Sequence, residues 1–203
     1  MKSYRSARDV MAAVERAIAD DQPFPPHTNT LHEISRILSE GRHYFWVGIY
    51  VVAGHQAVRA AFTGPDAEQE PCATIAVGNG NVGLAAQDGR ARYVPDASAD
   101  SVYIRAFKQT QSEFAVPIKI AGRVVGVLNA ESERLNGFAS QERVLLKKVA
   151  TRLALFLTGK GKYIVRKFRE KHVQPAETRG YQPASERSIE QSRKVAAGEK
   201  LRS

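Results

Sequence analysis

The stretch GNGNVG, Gly78 to Gly83, has the spacing G-x-G-x-x-G. Between a strand and a long helix, that spacing holds a pyrophosphate against backbone amides, and Asp96 and Asp100 follow in the range of a ribose-binding carboxylate. A second set is aromatic and acidic: Trp46 and Tyr50 flank Gly48, Glu113 opens an apolar run, and Asn129 and Glu131 end another. A carboxylate withdrawn from water is costly unless it meets a positive or donating group. Glu113 and Glu131 together therefore favour a ligand bearing an ammonium group, and the faces of Trp46 and Tyr50 suit a cation or a thioether-like chain. Ordinary packing is the alternative, with Glu113 paired to Arg92, Arg105 or Lys119 and the two aromatics plain core. Cys72 is the only cysteine, and nothing near it in sequence would lower its pKa, so it reads as a small strand residue rather than a redox centre. Five scattered histidines and one cysteine give no metal-ligand spacing, and no cofactor is expected.

The elements that must position these residues follow from periodicity. A helix is expected from Ser3 to Ala19, with Val10, Val14 and Ala17 on one stripe and Met11 and Ile18 beside it. Prolines 23, 25 and 26 break it, and a second helix carries Leu31, Ile34 and Leu38, capped by Thr28 or Asn29 and ending near Gly41. YFWVGIYVV and AVRAAFTG read as a hairpin, CATIAV as a strand entering the glycine stretch, NVGLAAQ as a short helical turn, and ARYVPD as a brief strand. ASADSVYIRAFKQTQ reads as loop plus short helix. SEFAVPIKI and RVVGVLNAES form a second hairpin around AGR, and SQERVLLKKVATRLALFL is a closing helix capped by Ser140. Two helices, about six strands and one helix make an α+β domain on an antiparallel sheet. The helical piece after Gly83 is too short for a dinucleotide crossover, so the glycines are read as backbone geometry: a turn of positive φ and a close approach of helix to sheet.

Strand parity points to one shared face. With Phe45, Val47, Ile49 and Val51 toward the helices, Trp46, Gly48 and Tyr50 point the other way, and glycine between two aromatics leaves a hollow. Phe114, Val116 and Ile118 put Glu113 on the opposite face, and Val125, Val127, Asn129 and Glu131 share one parity. Tyr93, Tyr103 and Phe107 are candidates for a lid.

The charge is concentrated at one end. Twelve of the 30 Lys+Arg and five of the 21 Asp+Glu fall from Gly159 onward, which leaves 18 against 16 for the first 158 residues. Three regions are expected: N-terminal helices over 1–42, a core with its closing helix over 43–158, and a basic tail over 159–203 whose low apolar content leaves much of it flexible or loosely helical. The tail is either a solvated appendage or a contact for nucleic acid through KGKYIVRKFREKH. Charges interrupt the first residues too often for a signal-peptide core, and no run approaches the ~18 apolar residues of a membrane span, so a cytoplasmic protein that does not engage membrane is expected.

From Trp46 to Leu157 the order W-V-G-I-Y, G-N-G-N-V-G-L-A, Y-V-P-D, S-E-F-A-V-P-I and G-R-V-V-G-V-L-N-A-E-S resembles a GAF domain. The resemblance implies a central antiparallel sheet with the terminal helices on one face, often dimerising, and a ligand pocket on the other under the glycine segment, with backbone at Gly80, Val82 and Gly83 lining it. Within that family the likeness is to free methionine-R-sulfoxide reductases, which cage their substrate with an aromatic pair and acidic side chains. The matching positions are Trp46, Tyr50, Glu113, Asn129 and Glu131, where the reductases carry aspartates at the last two. Of their three cysteines only Cys72 has a counterpart; the others fall at Val82 and, for the nucleophile, Ala106. Sulfoxide reduction by thiols needs an attacking thiolate and a second thiol to resolve the intermediate. The expectation is a GAF sensor or regulatory module that binds a small amine-bearing metabolite without catalysis and signals to a protein partner. The alternatives are a degenerate reductase, a small-anion receptor using amides at the short helix, and a nucleic-acid adaptor.

Overall fold

The first helix, α1 (Ala7–Ala19), starts where Ser6 accepts from the Asp9 amide at 3.1 Å, a side-chain cap that satisfies one of the free first-turn donors. The computed structural model of the protein describes residues 5–21, 28–42, 44–65 and 73–173, which lie in one unit of the fold. Helix α2 (Thr28–Gly41) buries Leu31, Ile34, Ile37 and Leu38; the side chains of Thr28 and Asn29, its expected caps, lie outside the described residues. The strands are β1 (Trp46–Ala53), β2 (Gln56–Thr63), β3 (Thr74–Ala76), β4 (Arg92–Val94), β5 (Ser112–Ile120) and β6 (Arg123–Ser132). They form one sheet in the order β3-β2-β1-β6-β5-β4, antiparallel at every pairing. The expected α+β class with a six-stranded antiparallel sheet is the observed one.

Helix α3 (Gly80–Asp88) follows β3 directly and ends at Gly89 in the left-handed region. It covers one face of the sheet, over the cluster of Trp46, Tyr50, Ala57, Ile75, Val82, Ala85, Phe107, Ala115 and Val127. Helix α4 (Ser140–Thr158) lies with α1 and α2 on the other face, over Val47, Ile49, Val51, Phe114, Val116, Ile118, Leu128 and Ala130. Ser140 is the first residue of α4 rather than its cap, which is Ala139.

Several expectations are corrected. Phe45 lies before β1 and packs with Phe107 on the α3 side, because the chain bends there before strand alternation begins. Val125 joins the helix-side core, because the register slips between Ile118 and Lys119 and Val125 is the residue left over. The segment after β4 holds no helix: Asp100 accepts from the Val102 and Tyr103 amides, and Asp96 from Ser98, so these carboxylates bind their own backbone as turns. The ordered chain does not end at Thr158. A fifth helix, α5 (Lys162–His172), buries Ile164 and Val165 against the helix-side core and leaves Lys162, Arg166, Lys167, Arg169 and Lys171 exposed. The remainder of the expected tail, from residue 174, lies outside the described residues.

One buried network ties the entry into β1 to α4. Arg42 reaches Glu142 through Nε at 3.0 Å and through Nη2, Tyr44 donates its hydroxyl to the same carboxylate, and Arg42 Nη1 donates to the Arg5 carbonyl at 2.6 Å. Removing one partner strands the other charge in a dry site, at a cost of about 3–5 kcal/mol. Arg42→Met is therefore expected to lose about 3 kcal/mol in urea unfolding, and Arg42→Met/Glu142→Gln to recover more than half of it. The β5–β6 hairpin offers the opposite sign. Its two turn residues have φ of 47° at Ala121 and 78° at Gly122, both left-handed, as in a type I′ turn that prefers Asn-Gly. Ala121→Asn should stabilise by roughly 0.5–1 kcal/mol in the same assay.

Candidate functional site

The register places the acidic pair side by side. Glu113 on β5 and Glu131 on β6 are direct cross-strand partners on one face, and Trp46 on β1 is paired with Glu131 on its other side. Gly48 is paired with Asn129 and Tyr50 with Val127, so the parity read from the sequence assembles Trp46, Tyr50, Glu113, Asn129 and Glu131 on the face under α3. All five are buried.

Each carboxylate is served by neutral donors. Asn81, in the first turn of α3, donates Nδ2 to Glu113 Oε2 at 2.9 Å, and Asn129 also bonds Glu113. Tyr103 donates its hydroxyl to Glu131 Oε2 at 3.0 Å, and Thr110 donates to the same oxygen. No Lys or Arg among the described residues bonds either acid. The expected alternatives for Glu113 go elsewhere: Arg92 pairs with Asp88 at 2.7 Å, Lys119 donates to the Gly89 carbonyl at 2.8 Å, and Arg105 lies over the Tyr103 ring. Burial raises the pKa of both acids; the charge of Glu131 raises Glu113 further, while the donors hold each back in part. Burial, then the neighbouring Glu131, also pushes the Tyr103 hydroxyl well up.

Tyr50, Ile75, Gly80, Asn81, Val82, Ile104, Glu113, Asn129 and Glu131 enclose a cavity of about 10 Å³, the volume of roughly one water. The hollow expected at Gly48 is closed by Trp46 itself: a methyl at Gly48 would fall 2.1 Å from Trp46 Cη2. Gly80, at φ 60°, lies under Ile104, whose Cδ1 would sit 2.6 Å from an added methyl. Phe107 packs on Trp46 with ring centroids 5.8 Å apart. The segment between β4 and β5 thus folds over the acids as a closed cover, with Tyr103 and Phe107 in it as expected. Two buried polar atoms in this region, Trp46 Nε1 and Asn129 Oδ1, have no hydrogen-bond partner among the described residues.

Tyr93 is not part of the cover. It pairs with Phe114, and its ring packs against Phe114 and Phe138 in the helix-side core under the Arg143 guanidinium. Gly83 serves packing: a methyl there would meet the Ala76 carbonyl oxygen at 2.2 Å, so only glycine lets α3 approach β3. Cys72 lies outside the described residues, and Ala106 packs its methyl against the α3-side cluster. Among the described residues there is no cluster of metal-ligating side chains, and no helix is long and apolar enough to cross a membrane. Sequence reading missed Asn81, Ile104 and Thr110. The signal for Asn81 is its place: it is the polar side chain in the first turn of α3, followed by five small or apolar residues.

An all-antiparallel sheet with helices α1, α2 and α4 on one face and a short glycine-entered helix over an enclosed polar hollow on the other defines the class of α+β domain. The family model described as GAF domain matches residues 28–158, and the chain belongs to that family. It is 32% identical over 120 residues to GAF domain-containing protein A of Dictyostelium discoideum, covering 59% of this chain and 73% of that protein. It is 24% identical over 108 residues to the free methionine-R-sulfoxide reductase of Escherichia coli, of which it covers 63%. Among solved structures, a free methionine-R-sulfoxide reductase from Neisseria meningitidis in complex with its substrate matches with a TM-score of 0.69 at 28% identity, over 80% of this chain and 99% of that one.

The raised acids give stability a definite pH dependence. The folded state keeps protons that the unfolded chain releases above the ordinary carboxylate value of 4.5. Their contribution is fully present below that value and is lost as pH rises through the raised values. Unfolding free energy should therefore fall by at least about 1 kcal/mol between about pH 5 and about pH 8, and Glu113→Gln should remove much of that fall. Superimposable profiles for the two proteins would contradict the assignment.

Proposed function

We propose that the chain is a GAF sensor or regulatory module whose covered hollow takes the ammonium group of a small amine-bearing metabolite and leaves it chemically unchanged. The observation that carries this reading is the Glu113–Glu131 pair: two adjacent buried acids with no basic side chain bonded to either among the described residues. An ammonium carries three donors, and Glu113, Glu131 and Asn129 Oδ1 are three acceptors that share one face. Trp46 and Tyr50 add aromatic faces, and Trp46 Nε1 is left to donate to an acceptor on the ligand. A cavity of about 10 Å³ holds no metabolite, so entry requires Ile104 to leave Gly80 and the cover from Tyr103 to Gln111 to lift. Ligand binding is thereby coupled to the cover, and the ordered cover and the terminal helices are the route to a protein partner.

The reductase-like alternative draws on the two reductase matches. Against it, the resemblance places the attacking thiol at Ala106, and Cys72 is the only thiol in the chain. The nucleic-acid adaptor would act through the exposed Lys162, Arg166, Lys167, Arg169 and Lys171 of α5, whose Ile164 and Val165 are buried in the core. A small anion at the start of α3 would meet two acids, which disfavours it.

Differential scanning fluorimetry at pH 8 with free amino acids, methionine sulfoxide and biogenic amines, each against its N-acetyl form, tests the proposal. At a hundredfold excess over Kd a true ligand adds about 2.7 kcal/mol, roughly 5–10 °C for a domain of this size. At least one free amine should stabilise, its acetylated form should not, the shift should shrink toward pH 5 as the acids take up protons, and Glu131→Gln should abolish it. Stabilisation by no amine, or equally by acetylated forms, would contradict the reading. Turnover of free methionine sulfoxide with a thioredoxin system, lost in Cys72→Ser, would replace it with the enzymatic one.

A further inference from the structure

The face of the sheet opposite the hollow carries an apolar groove of its own. Ala7, Arg8 and Met11 of α1 and Ser140, Gln141, Val144, Leu145 and Lys148 of α4 line a volume of about 610 Å³ open to solvent. On α4, positions 144, 148, 151 and 155 fall on one stripe at helical spacing, and its two apolar members are half exposed, Val144 at 52% and Leu155 at 54%. Large aliphatic side chains on an outward stripe of a helix whose other face already fills the core are a mark of a contact surface.

The charges around the groove select the occupant. Arg8 and Lys148 stand in its walls and Lys147 flanks the stripe on the side away from α1; all three are exposed, and none meets a carboxylate among the described residues. Of the acids nearest in sequence, Glu15 pairs with Arg152 and Glu142 with Arg42, while Asp9 accepts from the Ser6 hydroxyl at the start of α1. The groove therefore presents an apolar floor and a rim whose three cations form no ion pair among the described residues.

We propose that this groove docks an acidic amphipathic helix of a partner protein, with aliphatic residues at helical spacing on Met11, Val144 and Leu155 and glutamates or aspartates against Arg8, Lys147 and Lys148. A second copy of this chain fits the same face less well. A two-fold contact brings the same patch against itself, so it would gather six cations at one interface, whereas an acidic helix brings carboxylates to them. The acidic helix satisfies both the stripe and the rim.

The test uses the full chain and a labelled helical peptide of about 20 residues, long enough to hold helix when bound, with leucines on one face and glutamates on the other. A second peptide carries lysines in place of the glutamates. Fluorescence anisotropy should show binding of the acidic peptide that weakens with added salt. Val144→Glu should weaken it about ten-fold or more, and Arg8→Glu/Lys147→Glu/Lys148→Glu should invert the preference toward the lysine peptide. Circular dichroism melts establish that both variants are folded, as expected for exposed positions. Equal binding of the two peptides, or of neither, overturns the proposal. So does a dimer of the unmodified protein in sedimentation velocity that Val144→Glu converts to monomer, which would assign the groove to a second copy.

Discussion

Two acids sharing one dry position of the sheet set the terms for this face of the domain. Glu113 and Glu131 are cross-strand partners, so their side chains cannot turn away from each other without breaking register, and both are nearly sealed from water. Like charges so placed cannot both ionise freely. The surrounding parts are organised as neutral donors to this pair: Asn81 from α3, Asn129 from the neighbouring strand, and Tyr103 and Thr110 from the two ends of the cover. Helix and cover are therefore held by the same two groups.

The helix-side core makes a contrast. There the charge is paired where it is buried: Arg42 and Glu142 neutralise each other, with the Tyr44 hydroxyl added, and join the chain just before α1, the entry to β1 and the start of α4. One face thus solves charge burial by pairing opposite signs, and the other keeps equal signs together with only dipoles to soften them. The second arrangement costs stability.

Much of this was legible before any coordinates. Alternation along WVGIYVVA, SEFAVPIKI and RVVGVLNAES fixes which residues share a face, and that was enough to group Trp46, Tyr50, Glu113, Asn129 and Glu131. The failures fall where period-two logic stops. Val125 sits at a register slip, Phe45 at a bend before the strand, and Tyr93 on a three-residue strand whose direction the sequence leaves open. The cover was misread as partly helical because its turns depend on Asp96 and Asp100 bonding backbone two or three residues on, a competition with helix that periodicity does not register. The size of the hollow was not legible at all. Whether Gly48 leaves space depends on the rotamer of Trp46, and the indole lies back across the glycine. The docking of helix α5 is not legible in composition, because two buried residues, Ile164 and Val165, order a segment that otherwise reads as a flexible or loosely helical tail.

On the proposed function, the Glu113–Glu131 pair keeps its protons to higher pH than an exposed glutamate in the empty protein, and a cationic guest displaces them to solvent. Carbon-13 NMR of selectively labelled glutamate carboxyl carbons, followed across pH and assigned with single Gln variants, observes this directly. Two resonances should titrate well above the ordinary glutamate range in the free protein and shift to the ionised position at neutral pH when an amine ligand is added. Both resonances titrating together near the value of an exposed glutamate would contradict the account.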